Sequence, residues 1–131
     1  MSELEAPNEL QLLLAEIPPT RLTTIIDVGA NPVNEPAYKL LRDIGACRVV
    51  GFEPEARAFA ALEKSKRSNE TYFNHAIGDG QTRDLLLYRY QVMTSIFRPY
   101  LPGYKAVGWE GVGEVRGKAA LPTKALDDIA D

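Results

Sequence analysis

The sequence contains little cysteine and little histidine, and this scarcity excludes two kinds of chemistry. Cys47 is the only cysteine, so the chain can form no internal disulfide, and His75 is the only histidine. A metal site built from several histidine and cysteine ligands is therefore excluded, and we expect no bound metal. Because Cys47 lies in an apolar run, we expect it to fill the core, which is compatible with a reducing, cytoplasmic location.

The sequence also lacks the features that direct a chain to membranes or nucleic acids. No apolar run approaches the ~20 residues that a membrane-spanning helix needs, and the acidic N-terminus lacks the pattern of a secretory signal. The formal net charge is −3, and the 15 lysines and arginines are dispersed along the chain. Their densest run, Lys64, Lys66 and Arg67, is typical of the solvated end of a helix. We therefore expect neither a membrane nor a nucleic acid as a partner.

Strand-like and helix-like patterns alternate through the first part of the chain. With 131 residues, of which 45% are hydrophobic, the chain is predicted to form a single domain. Residues 1–19 contain an amphipathic helix with Leu10, Leu13, Leu14 and Ile17 on one face, ending before Pro18 and Pro19. Residues 22–80 then predict strand, helix, strand, helix and strand, at 22–28, 35–44, 47–52, 54–66 (with Pro54 in the first helical turn) and 71–77. This order is typical of parallel βαβ units.

The alternation breaks down in residues 81–131, which we predict to be a β-rich, irregular segment. Strands are predicted at residues 84–90, whose partner the sequence does not identify, and at 112–121, with a final turn at 126–129. The aromatic residues of this segment could line a substrate face or could equally be buried beneath the irregular region; they are Tyr88, Tyr90, Phe97, Tyr100, Tyr104 and Trp109.

The residues with the strongest chemical meaning follow the first and second predicted strands. The first strand ends in Asp27-Val28-Gly29-Ala30-Asn31, and Glu53 follows Gly29 by 24 positions, at the end of the second strand. In open α/β sheets, ligands bind beyond the carboxyl ends of the strands, where a glycine lets the backbone approach them. The N–H groups that lead into the next helix favour an anionic group. A carboxylate at Glu53 suits the two hydroxyls of a ribose, so the pattern predicts a ligand that contains a nucleoside.

The glycine pattern narrows the choice of ligand. A dinucleotide-binding loop has the pattern G-x-G-x-x-G, whereas this chain has Gly29-Ala30-Asn31-Pro32-Val33-Asn34 and lacks the second and third glycines. This loss disfavours a pyrophosphate against the loop, and with it an NAD-linked oxidoreductase. It is more compatible with S-adenosylmethionine, whose methionine end needs fewer close backbone contacts.

Five short motifs in order resemble the FkbM-type methyltransferases. They cover about residues 23 to 130 and are Ile26-Asp27-Val28-Gly29-Ala30-Asn31, Gly51-Phe52-Glu53-Pro54, Asn74-His75-Ala76-Ile77-Gly78-Asp79, Met93-Thr94-Ser95 and Thr123-Lys124-Ala125-Leu126-Asp127-Asp128-Ile129. Each motif alone is weak, but their common order and spacing make the resemblance specific. The resemblance implies a Rossmann-like class I methyltransferase fold, an α/β three-layer sandwich that is apparently truncated and carries the extra β-rich C-terminal segment.

The resemblance also implies roles for individual residues. Asp27, Gly29, Ala30 and Asn31 would surround the methionine part of S-adenosylmethionine, and Glu53 would bind its ribose. Ala76 and Ile77 would lie along the adenine, and Thr94 and Ser95 match a segment that closes over the cofactor. Members of the family typically transfer a methyl group to an oxygen of a sugar or another small molecule. The resemblance assigns no catalytic residue.

Two departures from the family pattern affect these expectations. Many members have a glycine at the position of Val33, so we expect the loop to hold the cofactor differently or more weakly here. Members also continue beyond the Leu126–Ile129 turn into further strands, which would carry substrate-binding and acid/base residues. The chain is therefore expected to be the cofactor-binding half of the domain. Because the outer neighbour of the first strand would be missing, we expect the C-terminal segment or a second copy of the chain to cover its edge.

Other interpretations of the same residues stay open. Asp27 and Glu53 could simply cap the helices that follow them, and His75 is expected to be structural rather than catalytic. The chain could also be a catalytically inactive module that binds S-adenosylmethionine, or a structural or dimerisation module. These alternatives retain the same motifs, so the sequence alone does not separate them from an active enzyme.

Overall fold

A computed structural model describes residues 9–129 of the chain and shows a mixed α/β protein with two open sheets. The chain divides into two compact units, Met1–Asn74 and His75–Asp131. The boundary falls inside the predicted 22–80 core, and the single domain stays a prediction. Among residues 9–129, no helix has the length and apolar character needed to cross a membrane.

The first unit contains a parallel three-stranded sheet with the order β1-β2-β3. Its elements are α1 (Glu9–Glu16), β1 (Thr23–Val28), α2 (Lys39–Asp43), β2 (Cys47–Phe52), α3 (Ala56–Ser65) and β3 (Glu70–Phe73). The prediction of successive parallel strands is confirmed here. The register places Val28 opposite Phe52 and Phe52 opposite Phe73, so the three strands end level with one another. The residues that follow β1 and β2 therefore emerge at the same edge of the sheet.

A small core forms on one face of this sheet, where α3 packs. Ala30, Leu62 and Tyr72 are buried together, and Phe59 packs against them. Gly51 lies beneath this cluster, and a Cβ atom at this position would be 2.5 Å from the Tyr72 ring. The glycine is therefore required by the close approach of Tyr72, since its backbone does not adopt a positive φ.

Two predicted helices of the first unit differ from the observed ones at their ends. The helix predicted at 35–44 is reduced to α2, which begins only at Lys39 because Pro36 initiates a turn in which Lys39 N–H donates to its carbonyl. The helix predicted from Pro54 begins at Ala56, because the Glu55 carboxylate caps it by accepting hydrogen bonds from the N–H groups of Arg57 and Ala58.

Helix α1 ends at Glu16, before the two prolines, as predicted. Its apolar face is only partly covered: Leu10 and Leu14 are half-buried, whereas Leu13 and Ile17 are 54% and 70% exposed. The amphipathic pattern thus predicted the helix correctly but overstated how many of its leucine and isoleucine side chains are buried.

The second unit contains a mixed sheet with the order β4-β6-β5. Its elements are β4 (Ala76–Ile77), β5 (Thr82–Tyr88), a 3₁₀ turn (Gln91–Met93), α4 (Leu101–Ala106), β6 (Val115–Lys124) and a second 3₁₀ turn (Leu126–Asp128). Strand β6 is parallel to β4 and antiparallel to β5. It is the partner of β5 that the sequence did not identify. The single strand predicted at 71–77 is in fact two, β3 and β4, which lie in different units.

No strand of the described C-terminal segment pairs with β1, and the expectation that this segment covers the β1 edge stays a prediction. Strand β6 pairs with β4 and β5, and among residues 9–129 the only strand paired with β1 is β2. Ile26 and Val28 of β1 are 52% and 57% exposed. Pairing of two chains across this edge, which would make a homodimer, stays a prediction.

The close contact beneath Tyr72 predicts a strong effect of a single methyl group. Gly51→Ala should lower the free energy of unfolding by about 1–3 kcal/mol, because the Tyr72 ring must move to admit the new Cβ atom. Urea denaturation followed by circular dichroism measures this change. The matched control is the strand residue Gly117, where an added Cβ would meet Leu87 at an ordinary 3.5 Å. Equal unfolding midpoints for the two alanine variants would contradict this account of the core.

Candidate functional site

The loop after β1 is fastened to the end of β2. Gly29 adopts a φ of +82°, and the N–H groups of Gly29 and Ala30 both donate to the carbonyl oxygen of Phe52, at 2.8 and 3.0 Å. The Asn31 side-chain oxygen accepts a hydrogen bond from Val33 N–H at 3.1 Å. The first two N–H groups of the loop are therefore already hydrogen-bonded to β2. Helix α2 begins only at Lys39, so its N-terminal N–H groups do not follow directly after them. The expectation that amides at this point face an anionic group is not met at Gly29 and Ala30.

Asp27 lies half-buried at the end of β1, on the face that carries the core cluster. Its Oδ2 atom accepts a hydrogen bond from the Tyr38 hydroxyl at 2.5 Å. Burial, together with this hydrogen bond to a carboxylate, raises the pKa of Tyr38 well above its usual value. Tyr38 therefore stays protonated and orients Asp27. Sequence reasoning did not identify Tyr38 as part of the site, because its contact with Asp27 depends on the path of the 31–38 loop.

Glu53 follows β2 and is only 4% exposed. Its Oε1 atom accepts a hydrogen bond from Glu55 N–H at 2.8 Å, and its backbone carbonyl accepts one from the side-chain amide of Asn74 at 2.8 Å. Burial raises the pKa of Glu53, the hydrogen bond from Glu55 N–H lowers it, and the charges of Glu55 and Asp27 raise it further. Asp27 is paired with Gly51, two residues before Glu53, so the two carboxylates lie at the same edge of the sheet.

A cavity of about 330 Å³ in the first unit joins some of the predicted residues. Asp27, Ala30 and Asn31 line it, whereas Gly29 and Glu53 are not among its lining residues. Its remaining polar wall was not predicted from the sequence and consists of Tyr38, Arg42, Arg67, Glu70 and Tyr72, with Asn34, Glu35 and Ser65.

The buried carboxylate of Glu70 organises this wall. It accepts hydrogen bonds from the Tyr72 hydroxyl at 2.8 Å and from Arg67 N–H at 2.6 Å, and the Arg42 guanidinium lies 3.8 Å away. The Glu70 carboxylate in this wall therefore already has hydrogen-bond and ion-pair partners within the protein. Side chains at scattered sequence positions build it, and only the signal of a buried acid in β3 could have revealed it.

The other predicted cofactor residues lie in the second unit. Ala76 and Ile77 form β4, which pairs with Thr123 and Lys124 of β6. Ser95 exchanges two backbone hydrogen bonds with Leu86, and Thr94 and Ser95 line a separate cavity within that unit. His75 is half-buried at the start of the unit. No cluster of histidine, cysteine, aspartate or glutamate within residues 9–129 could hold a metal ion.

Comparison of the chain with protein-family models, with curated proteins and with solved structures finds no match in any of the three.

The burial of Glu53 predicts a specific pH dependence of stability. Because the folded-state pKa of Glu53 is raised, its protonation contributes stability that is fully present below the unfolded pKa and is lost as pH rises through the folded pKa. Glu53→Gln, which mimics the protonated acid, should therefore become more stable relative to the wild type as pH rises from about 4 to 7. Denaturant midpoints at several pH values measure this difference.

The matched control for this measurement is Glu63→Gln, which also removes one negative charge but at a partly exposed position on α3. A stability difference between Glu53→Gln and the wild type that changes with pH no more than the difference measured for the control would contradict the inferred desolvation of Glu53.

Proposed function

We propose that the chain is the cofactor-binding part of an S-adenosylmethionine-dependent methyltransferase with a Rossmann-like class I fold, acting on an oxygen of a sugar or other small molecule. One observation carries the proposal. The Gly29 loop and Glu53 emerge side by side at the carboxyl edge of a parallel sheet, joined through the hydrogen bonds of Gly29 and Ala30 to Phe52. This is the edge at which open α/β sheets bind nucleosides.

The environment of Glu53 suits a ribose. Its Oε1 atom is fixed by Glu55 N–H, which holds the carboxylate in one orientation. We assign the second oxygen, Oε2, to the ribose hydroxyls. A buried carboxylate that gains hydroxyl donors recovers part of the hydration that it lost on burial. The ligand would therefore be bound most tightly when Glu53 is ionised.

The loop contacts support S-adenosylmethionine over a dinucleotide. A pyrophosphate needs free N–H groups after the first strand, whereas Gly29 and Ala30 donate theirs to Phe52. The methionine end of S-adenosylmethionine can instead be met by the polar side chains of Asp27 and Asn31, which line the cavity of the first unit. In this assignment the Tyr38 hydroxyl keeps Asp27 in place.

The bound cofactor would supply an activated methyl group on its sulfonium. The protein would contribute by holding the acceptor oxygen in line with the methyl carbon, so that proximity and orientation provide most of the acceleration. The transfer is direct and needs no covalent protein intermediate. Asp27, Asn31 and Glu53 are assigned to binding in this account, and none of them to proton transfer.

Calorimetric titration of the chain with S-adenosylhomocysteine tests the proposal. We expect saturable binding, no comparable binding of NADH, and a loss of about tenfold or more in affinity for Glu53→Gln, because hydrogen bonds to a charged group contribute about 1.5–3 kcal/mol. Glu63→Gln is the matched control and should bind as the wild type does. Absence of binding to a folded sample, or equal affinities of the two variants, would contradict the proposal.

A second candidate function is a non-catalytic structural or dimerisation module. The unpaired edge of β1 and the exposed side chains of Ile26 and Val28 favour it, since exposed apolar strand edges commonly mark association surfaces. A folded chain that fails to bind S-adenosylhomocysteine but sediments as a dimer would support this alternative.

A further inference from the structure

The second unit contains a cavity of about 390 Å³ to which four aromatic side chains contribute. Pockets of this size hold small organic molecules. Four aromatic side chains contribute to the lining, together with an aliphatic rim and a few polar groups: Tyr88, Phe97, Tyr100, Tyr104, Val92, Met93, Pro99, Thr94, Ser95 and Arg98.

Phe97 is held firmly by its backbone while its side chain faces solvent. Its N–H group donates to the Ser95 hydroxyl oxygen at 3.1 Å, and its carbonyl accepts a hydrogen bond from the Tyr88 hydroxyl at 3.0 Å. Tyr88 itself is buried, yet the Phe97 side chain is 75% exposed. The backbone anchors this large apolar ring beside the cavity, and a ligand that covers the ring would remove apolar surface from water.

Two tyrosines are positioned by neighbouring glycines. A Cβ atom at Gly103 would be 2.9 Å from the Tyr100 ring, and one at Gly113 would be 3.3 Å from the Tyr104 ring. These glycines let both rings lie close against the backbone. Tyr100 is nevertheless 74% exposed. The cavity therefore offers exposed aromatic faces that a flat ring could stack against.

Arg98 adds a positive charge at this cavity. It is exposed, and no carboxylate among residues 9–129 lies within salt-bridge distance of it. Arg89 in the same unit contrasts with it, because Arg89 pairs with Glu114 and lies over the Tyr90 ring. The Thr94 hydroxyl, also part of the lining, makes no hydrogen bond within the described chain. A guanidinium and a hydroxyl without partners suit an anionic oxygen.

We propose that this cavity binds a small molecule that combines a flat aromatic ring with a negatively charged group. The ring stacks on Phe97 and Tyr100, and the anionic group lies against Arg98 and Thr94. Exposed aromatic side chains gain apolar contact when the ring binds, and the guanidinium selects charged over neutral ligands. The proposal stands on the second unit alone and does not depend on methyl transfer.

Calorimetric titration of the full chain with naphthalene-2-sulfonate tests this site. Naphthalene-2-sulfonamide has the same ring without the charge and serves as the neutral comparison. We expect saturable binding of the sulfonate, about fivefold weaker binding of the sulfonamide, and a loss of about fivefold in sulfonate affinity for Arg98→Gln. Arg98 is exposed and forms no ion pair with the described residues 9–129, so its replacement should leave folding unchanged. Arg116→Gln, at another exposed arginine of the unit, is the matched control and should bind as the wild type does.

The ring contact is tested separately with Phe97→Leu, which should weaken binding of the sulfonate and the sulfonamide by similar factors. No saturable binding to the folded chain, equal affinities for the two probes, or sulfonate affinity unchanged by both Arg98→Gln and Phe97→Leu would overturn the proposal. A parallel titration with adenosine 5′-monophosphate distinguishes the two sources of such a ligand: binding of the nucleotide that also depends on Arg98 assigns the site to nucleotides, and binding of the sulfonate alone assigns it to aromatic acids.

Discussion

The carbonyl oxygen of Phe52 accepts hydrogen bonds from the N–H groups of Gly29 and Ala30, and the candidate site of the first unit depends on this contact. It draws the loop after β1 against the end of β2, at the edge of the sheet where the strand register already places Asp27 and Glu53. It also directs the loop amides away from solvent. A ligand at this edge is therefore met mainly by side chains, which is the physical basis for preferring S-adenosylmethionine to a dinucleotide.

The absence of a side chain at Gly51 also contributes to the structure of this site. Tyr72 can approach the sheet only because Gly51 has no side chain, and the Tyr72 hydroxyl then reaches the buried Glu70. Glu70 in turn lies near Arg42, so the core cluster and the polar wall of the cavity share one tyrosine. Packing and electrostatics are thus coupled: a residue that fills the core also satisfies a buried charge.

The sequence predicted the local features well and the non-local ones poorly. The apolar run at Cys47–Phe52 identified β2 fully, because its apolar composition is a local signal that needs no knowledge of the pairing partner. The late start of α2 at Lys39 and the cap at Glu55 depend on loop geometry near Pro36 and Pro54. The pairing of β5 with β6 joins residues 27 to 40 positions apart. The contact between Tyr38 and Asp27 also carries no local signal in the sequence.

The most direct test of the central claim is a ¹⁵N–¹H correlation spectrum of the chain titrated with S-adenosylhomocysteine. If the joined ends of β1 and β2 hold the cofactor, the amide resonances of Asp27, Asn31, Glu53 and Glu55 will shift together along one saturable curve. The amides of exposed α3 residues such as Lys64 will not shift. Shifts confined to residues outside the ends of β1 and β2, or none in a folded sample, would contradict the account.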